Sequence, residues 1–143
     1  MDSQSFQDLL NDIVLRSSGI DGILILDPIE ALPLYHNTEY NEARQHGEEI
    51  VENHDAIADS LSGVHKIADT LKEFGDNSKR GELQYGIFQL SNGILVLYFL
   101  EIHQKPVVVA FISGTPDGLG LMLNHSKAKI GEIEQALNQF LAA

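Results

Sequence analysis

The stretch ELQYGIFQLSNGILVLYFLEIHQKPVVVAFIS, Glu82 to Ser113, decides the fold, because it reads as three consecutive strands joined by two tight turns. Within it, Gly93 to Leu100 (GILVLYFL) is an apolar run rich in β-branched and aromatic residues and bounded by turn formers. Successive side chains of a strand point to opposite faces of a sheet, so a strand apolar at every position has to be covered on both. This is a central strand, and Pro106 to Ile112 (PVVVAFI) repeats its pattern. The connections Ser91-Asn92-Gly93 and His103-Gln104-Lys105 are short enough for hairpins, and Asn and Gly adopt the positive φ that hairpin turns require. The sheet is therefore antiparallel here. In Glu82 to Leu90, Leu83, Tyr85 and Ile87 alternate with Glu82, Gln84 and Gly86, and then Phe88 and Leu90 switch face. That pattern suits an edge strand. An edge with few charges and no proline invites pairing with a second copy or a partner.

Upstream, Phe6, Leu9, Leu10, Ile13 and Val14 form the stripe of an amphipathic helix over Ser5 to Arg16, with Ser5 and Asp8 as a capping box. Ser17-Ser18-Gly19 ends it. A strand follows over Ile20 to Asp27, then a turn at Asp27-Pro28-Ile29-Glu30, then a short strand over Ala31 to Tyr35. Pro33 donates no ladder hydrogen bond and confines that strand to an edge or a bulge. Residues 36–47 (HNTEYNEARQHG) show no period and are expected to form a mobile acidic surface loop.

Between Glu48 and Phe74 one set of positions seven apart holds Ile50, Ile57, Val64 and Leu71, and another holds His54, Leu61 and Ala68. Their alternating spacing of three and four predicts a long helix with a seam for helix-to-helix contact. Gly75 to Ser78 stops it. After Ser113, Gly114-Thr115-Pro116-Asp117-Gly118-Leu119-Gly120 leads to a last helix ending near Leu141, with Asp117 as its N-cap. The expectation is a single α+β domain over residues 1–143, with a five-stranded antiparallel sheet sandwiched between one long helix and two terminal helices, a profilin-like α/β/α build.

The totals narrow the function. A chain of 143 residues fits one domain, which buries roughly two thirds of the surface its unfolded chain exposes. It has no cysteine, so disulfide and thiol chemistry are excluded, and the composition fits a reducing cytosol, the expected location. No segment has the pattern of a secretory signal, and the longest apolar run is too short to cross a bilayer as a helix. With 9 basic against 21 acidic residues the net charge is −12, and the basic residues are scattered, which argues against nucleic acid and anionic membranes. The acidity serves solubility or steers the chain towards a basic partner.

Catalytic motifs are missing: no Gly-Lys-Ser/Thr loop, no His-Glu-x-x-His and no Gly-x-Ser-x-Gly. The Gly114 to Gly120 turn is a poor anion site, because Pro116 lacks an N–H and Asp117 adds a repelling charge. Six histidines raise the question of a metal. His46 and His54 lie eight apart, with His36 in the loop, and such spacing supplies no converging set, so no metal, no cofactor and no enzymatic activity are expected. His54 reads as a packed seam residue, and Glu48, Glu49 and Glu52 read as first-turn carboxylates favoured by the helix dipole. The seam and the open edge strand instead predict self-association through Ile57, Leu61 and Val64 with Tyr85 and Phe88.

The whole pattern resembles the roadblock and dynein-light-chain family. The resemblance rests on the opening helix, on Gly22-Ile23-Leu24-Ile25-Leu26-Asp27 with the return Ala31-Leu32-Pro33-Leu34, on the long central helix, and on the meander leading into Gly118-Leu119-Gly120-Leu121-Met122-Leu123. It runs from about Phe6 to Leu141. The resemblance implies a homodimer in which the long helices meet and the first meander strands pair. It also implies a non-enzymatic regulatory scaffold that binds a small Ras-like GTPase and modulates its nucleotide cycle. Arg44 and Arg80 are the only loop arginines, and each reads as a solvated charge in preference to an arginine finger. The alternatives are a light-chain adaptor and a sensory module of profilin-like or PAS-like build enclosing a small ligand between sheet and long helix.

Overall fold

The computed structural model describes residues 2–17, 19–29, 32–36, 59–113 and 118–141. Most of the expected 36–47 loop and the expected helix from Glu48 to Asn53, with His54, Ile57, Arg44 and His46, lie outside those residues.

Helix α1 spans Ser3–Arg16, strand β1 Gly22–Asp27, strand β2 Leu32–His36, helix α2 Val64–Asn77, strand β3 Tyr85–Leu90, strand β4 Gly93–Ile102, strand β5 Lys105–Ser113 and helix α3 Leu119–Phe140. Every strand pair is antiparallel, and the five strands lie in the order β2-β1-β5-β4-β3. The meander β3-β4-β5 thus joins β1 through β5, which takes the middle position, and β2 and β3 form the two edges. At the β2 edge the register shifts: Ile25 pairs with Tyr35 and Leu26 with Pro33, which leaves Leu34 as the extra residue of a bulge. Proline is tolerated there because an edge strand need not use every N–H.

The pleat sorts the core into two clusters. On the first face Ile23, Ile25, Val96, Tyr98, Val109 and Phe111 pack against Phe6, Leu10 and Ile13 of α1 and Ile133 and Leu137 of α3. Each fully buried side chain of this size contributes about 1.5–3 kcal/mol. On the second face Leu24, Leu26, Leu97, Val108 and Ala110 meet Val64, with Leu61 beside them.

Local signals were displaced in three places. The capping box gives way to Asp2, whose carboxylate accepts from the Ser5 amide at 2.7 Å, so α1 begins one half-turn earlier than expected. This carboxylate sits on the positive end of the helix dipole, and its bond to the Ser5 amide lowers its pKa. The expected unbroken helix from Glu48 to Phe74 is interrupted within the described residues, because 61–63 form a turn and α2 starts after Gly63. Glycine at that point weakens helix propagation and lets the chain turn. Finally, the positive φ values of the meander fall on His103 (52°) and Gln104 (67°), the two residues between the paired Ile102 and Lys105, and not on the Asn92-Gly93 turn. Two successive positive φ values give a type I′ turn, whose twist matches the strands it joins.

Helix α2 does not stop at Gly75. It runs to Asn77 and closes with a Schellman pattern: Lys79 has φ 58°, its amide donates to the Asp76 carbonyl (3.3 Å), and the Arg80 amide donates to the Gly75 carbonyl (2.8 Å). The returning chain passes so close to Gly75 that a Cβ there would collide with the Gly81 carbonyl oxygen, which explains a glycine inside the helix. Among the described residues no helix is long and apolar enough to cross a membrane.

Candidate interaction surface

Helical spacing in α2 places Ile67, Leu71 and Phe74 on one stripe, at i, i+4 and i+7. The stripe is apolar yet exposed, Ile67 by 50 %, Leu71 by 41 % and Phe74 by 63 %. These are the side chains a helix normally buries. Beyond scattered single residues, grouped exposed apolar side chains mark interaction surfaces. A second set lies on the β3 edge, where Ile87, Phe88 and Leu90 are exposed and, among the described residues, one side of the strand has no neighbour in the sheet. The free backbone groups of such an edge are ready to pair with another strand.

The structure separates the residues expected at the self-association surface. Leu61 and Val64 are turned onto the chain's own sheet, with Val64 only 5 % exposed, and Ile57 lies outside the described residues. Phe88 is exposed at the edge, opposite Leu95. Tyr85 is half-buried: it pairs with Tyr98, their rings 5.3 Å apart, and Lys127 Nζ sits 5.0 Å above its ring. Its interaction with the Tyr85 side chain raises the Lys127 pKa. Sequence reading missed Ile67 and Phe74. Both are one helical step away from the seam of Val64, Ala68 and Leu71, and the periodicity alone does not tell which of two adjacent stripes meets the sheet.

Beneath the Tyr85 and Tyr98 rings the sheet is tied to α3. The Tyr98 hydroxyl lies 2.9 Å from Ser126 Oγ, which donates to the Leu123 carbonyl at 3.1 Å, and both residues are buried. Burial raises the Tyr98 pKa. At the other end of the helix, His103 Nε2 lies 3.0 Å from the Asn138 carbonyl.

The C-terminal half of α2 stands off the second face and leaves an open groove of about 540 Å³. Its apolar floor includes Phe99 and Val108, which belong to the second cluster, and its rim carries Asp69, Lys72, Asp76, Glu82 and Glu101, all exposed. The groove is open and charged at the rim, unlike an enclosed ligand cavity. Among the described residues no group of three His, Asp or Glu is placed to hold a metal ion.

No family model matches the sequence, and no curated protein sequence matches it either. Solved structures do match the fold. Myxococcus xanthus MglB superposes with a TM-score of 0.67 at 10 % identity over 98 % of this chain and 100 % of its own. The gliding protein MglB from Thermus thermophilus gives 0.66 at 13 % identity, over 97 % of this chain and 91 % of its own. A roadblock/LC7 domain from Streptomyces avermitilis gives 0.62 at 14 % identity, over 96 % and 98 %. An antiparallel sheet with helices packed against it, matched along nearly the whole length of the chain by such structures, identifies the fold of this chain as the roadblock/LC7 fold, which MglB shares.

Proposed function

We propose that this chain is a non-enzymatic, dimeric regulatory scaffold that binds a small Ras-like GTPase and modulates its nucleotide cycle. The observation that carries the reading is the match of fold to MglB over 98 % of this chain. The dimer is supported separately by the exposed α2 stripe and the open β3 edge. In the proposed assembly α2 forms the outer layer over the second face, the α2 stripes of two copies meet, and the β3 edges pair into one continuous sheet. A further structure described as MglB with a tetrameric arrangement, with a TM-score of 0.66, fits a surface built for self-association.

A scaffold of this kind acts on a GTPase by repositioning the GTPase's own groups, since the only described loop arginine, Arg80, is an exposed residue whose amide closes the Schellman turn. The test is capture from a lysate of the source cell on the immobilised protein, with GDP or a non-hydrolysable GTP analogue added in parallel. Recovery of a small GTPase in one nucleotide condition is the expected result. Recovery of none in either condition contradicts the reading and favours a light-chain adaptor.

A further inference from the structure

We propose that the groove between α2 and the β4–β5 hairpin end is a docking site for a basic amphipathic segment of a protein partner. The inference rests on the groove alone, and neither the dimer nor the GTPase enters its test.

Phe99 and Val108 are cross-strand partners, so their side chains stand together on the second face, and Pro106 and Glu101, the next pair on that face, extend it towards the hairpin. Opposite them α2 presents Asp69, Lys72 and Asp76, which follow one another at steps of three and four, with Ala68 beside them. The result is an apolar floor with charged walls. Ile29, 61 % exposed in the β1–β2 turn, adds an apolar side chain to the lining.

Charge then selects the occupant. The rim carries four carboxylates, Asp69, Asp76, Glu82 and Glu101, against one lysine, Lys72. Among the described residues, none of the four carboxylates takes part in an ion pair. The whole chain adds a field of the same sign, with a net charge of −12. An acidic or phosphorylated ligand would therefore be repelled, and a purely apolar one would leave the carboxylates unused. A segment with apolar side chains on one side and Lys or Arg on the other satisfies floor and rim together. The volume, about 540 Å³, admits a few such side chains and not a folded domain.

The test is a fluorescence-anisotropy titration of the full chain with a labelled amphipathic helical peptide bearing Leu on one face and Lys on the other, beside a control with Glu in place of Lys. The Lys peptide is expected to bind and the Glu peptide not. Reversing two exposed rim charges, Asp69→Lys with Glu101→Lys, is expected to weaken binding at least tenfold, whereas Lys72→Glu strengthens it. Ile29→Ser weakens it through the floor. Thermal unfolding of each variant checks that the fold is intact. Amide shift mapping is expected to place the peptide at Ile29, Phe99 and Val108. Equal binding of both peptides, rim variants with unchanged affinity, or shifts confined to Ile67, Leu71 and Phe74 would each overturn the proposal.

Discussion

The Tyr98 hydroxyl and Ser126 Oγ lie 2.9 Å apart in a buried position and fix the register of α3 over the first face of the sheet. The two partners are not equivalent. After Tyr98→Phe, Ser126 Oγ keeps its bond to the Leu123 carbonyl, so the expected cost is near the net worth of one hydrogen bond, about 1 kcal/mol. After Ser126→Ala the phenol is left buried without its partner, and the expected cost rises to about 1–3 kcal/mol. Denaturant unfolding of both variants and the double variant measures the difference. The raised Tyr98 pKa adds a pH signature: the folded state holds the proton longer than the unfolded one. Its contribution is complete below pH 10.0 and is lost as pH rises through the raised value, so the wild type loses more stability than Tyr98→Phe above that pH.

Gly75→Ala places a methyl group against the Gly81 carbonyl oxygen, part of a turn whose backbone is fixed by two bonds to the Gly75 carbonyl. Neither side has a flexible atom to give way. A loss of about 1–3 kcal/mol is expected, despite the gain in helix propensity that alanine normally brings. Chemical denaturation checks it, with Gly131→Ala as a control, because nothing lies within 4 Å of a Cβ added there and that substitution is expected to stabilise α3.

Lys79 and Gln104 hold left-handed backbone without being glycine, at φ 58° and 67°. Lys79→Gly and Gln104→Gly are each expected to stabilise the fold by roughly 1 kcal/mol, because they remove strain at positions that already have the conformation glycine prefers. Calorimetric melting temperatures above the wild type for both variants agree with this; a drop in either contradicts the backbone argument.

Leu71→Asp and Phe74→Asp remove apolar groups that a dimer would cover. Full burial of each is worth about 1.5–3 kcal/mol, so the dimer dissociation constant is expected to rise by at least tenfold per substitution. Light scattering over a concentration series measures this. Melting temperatures extrapolated to low protein concentration are expected to stay near the wild type, because both side chains are exposed in the single chain.

Much of the fold was legible because apolar alternation in the meander reports burial directly. Leu97 and Tyr98, both apolar and adjacent, fall into opposite clusters, as a strand covered on two faces requires. The edge position of β3 was legible from its broken alternation, and the β2 bulge from Pro33. The surface was less legible. Periodicity groups Val64, Ala68 and Leu71 on one seam, but Val64 is driven inward by Leu24 and Val108, contacts distant in sequence, while Leu71 stays outside beside Ile67 and Phe74. The groove was invisible for the same reason. Its walls come from α2, the β1–β2 turn and the β4–β5 hairpin, and no local pattern states their distance.

The proposed role rests on nucleotide-dependent binding of a small GTPase. Calorimetric titration of a purified small Ras-like GTPase from the source cell into this protein, once loaded with GDP and once with a non-hydrolysable GTP analogue, tests it most directly. Saturable heat with one nucleotide form, at least tenfold weaker with the other, is the predicted result. Equal affinity for both forms, or no heat with either across the small GTPases of the cell, would contradict it.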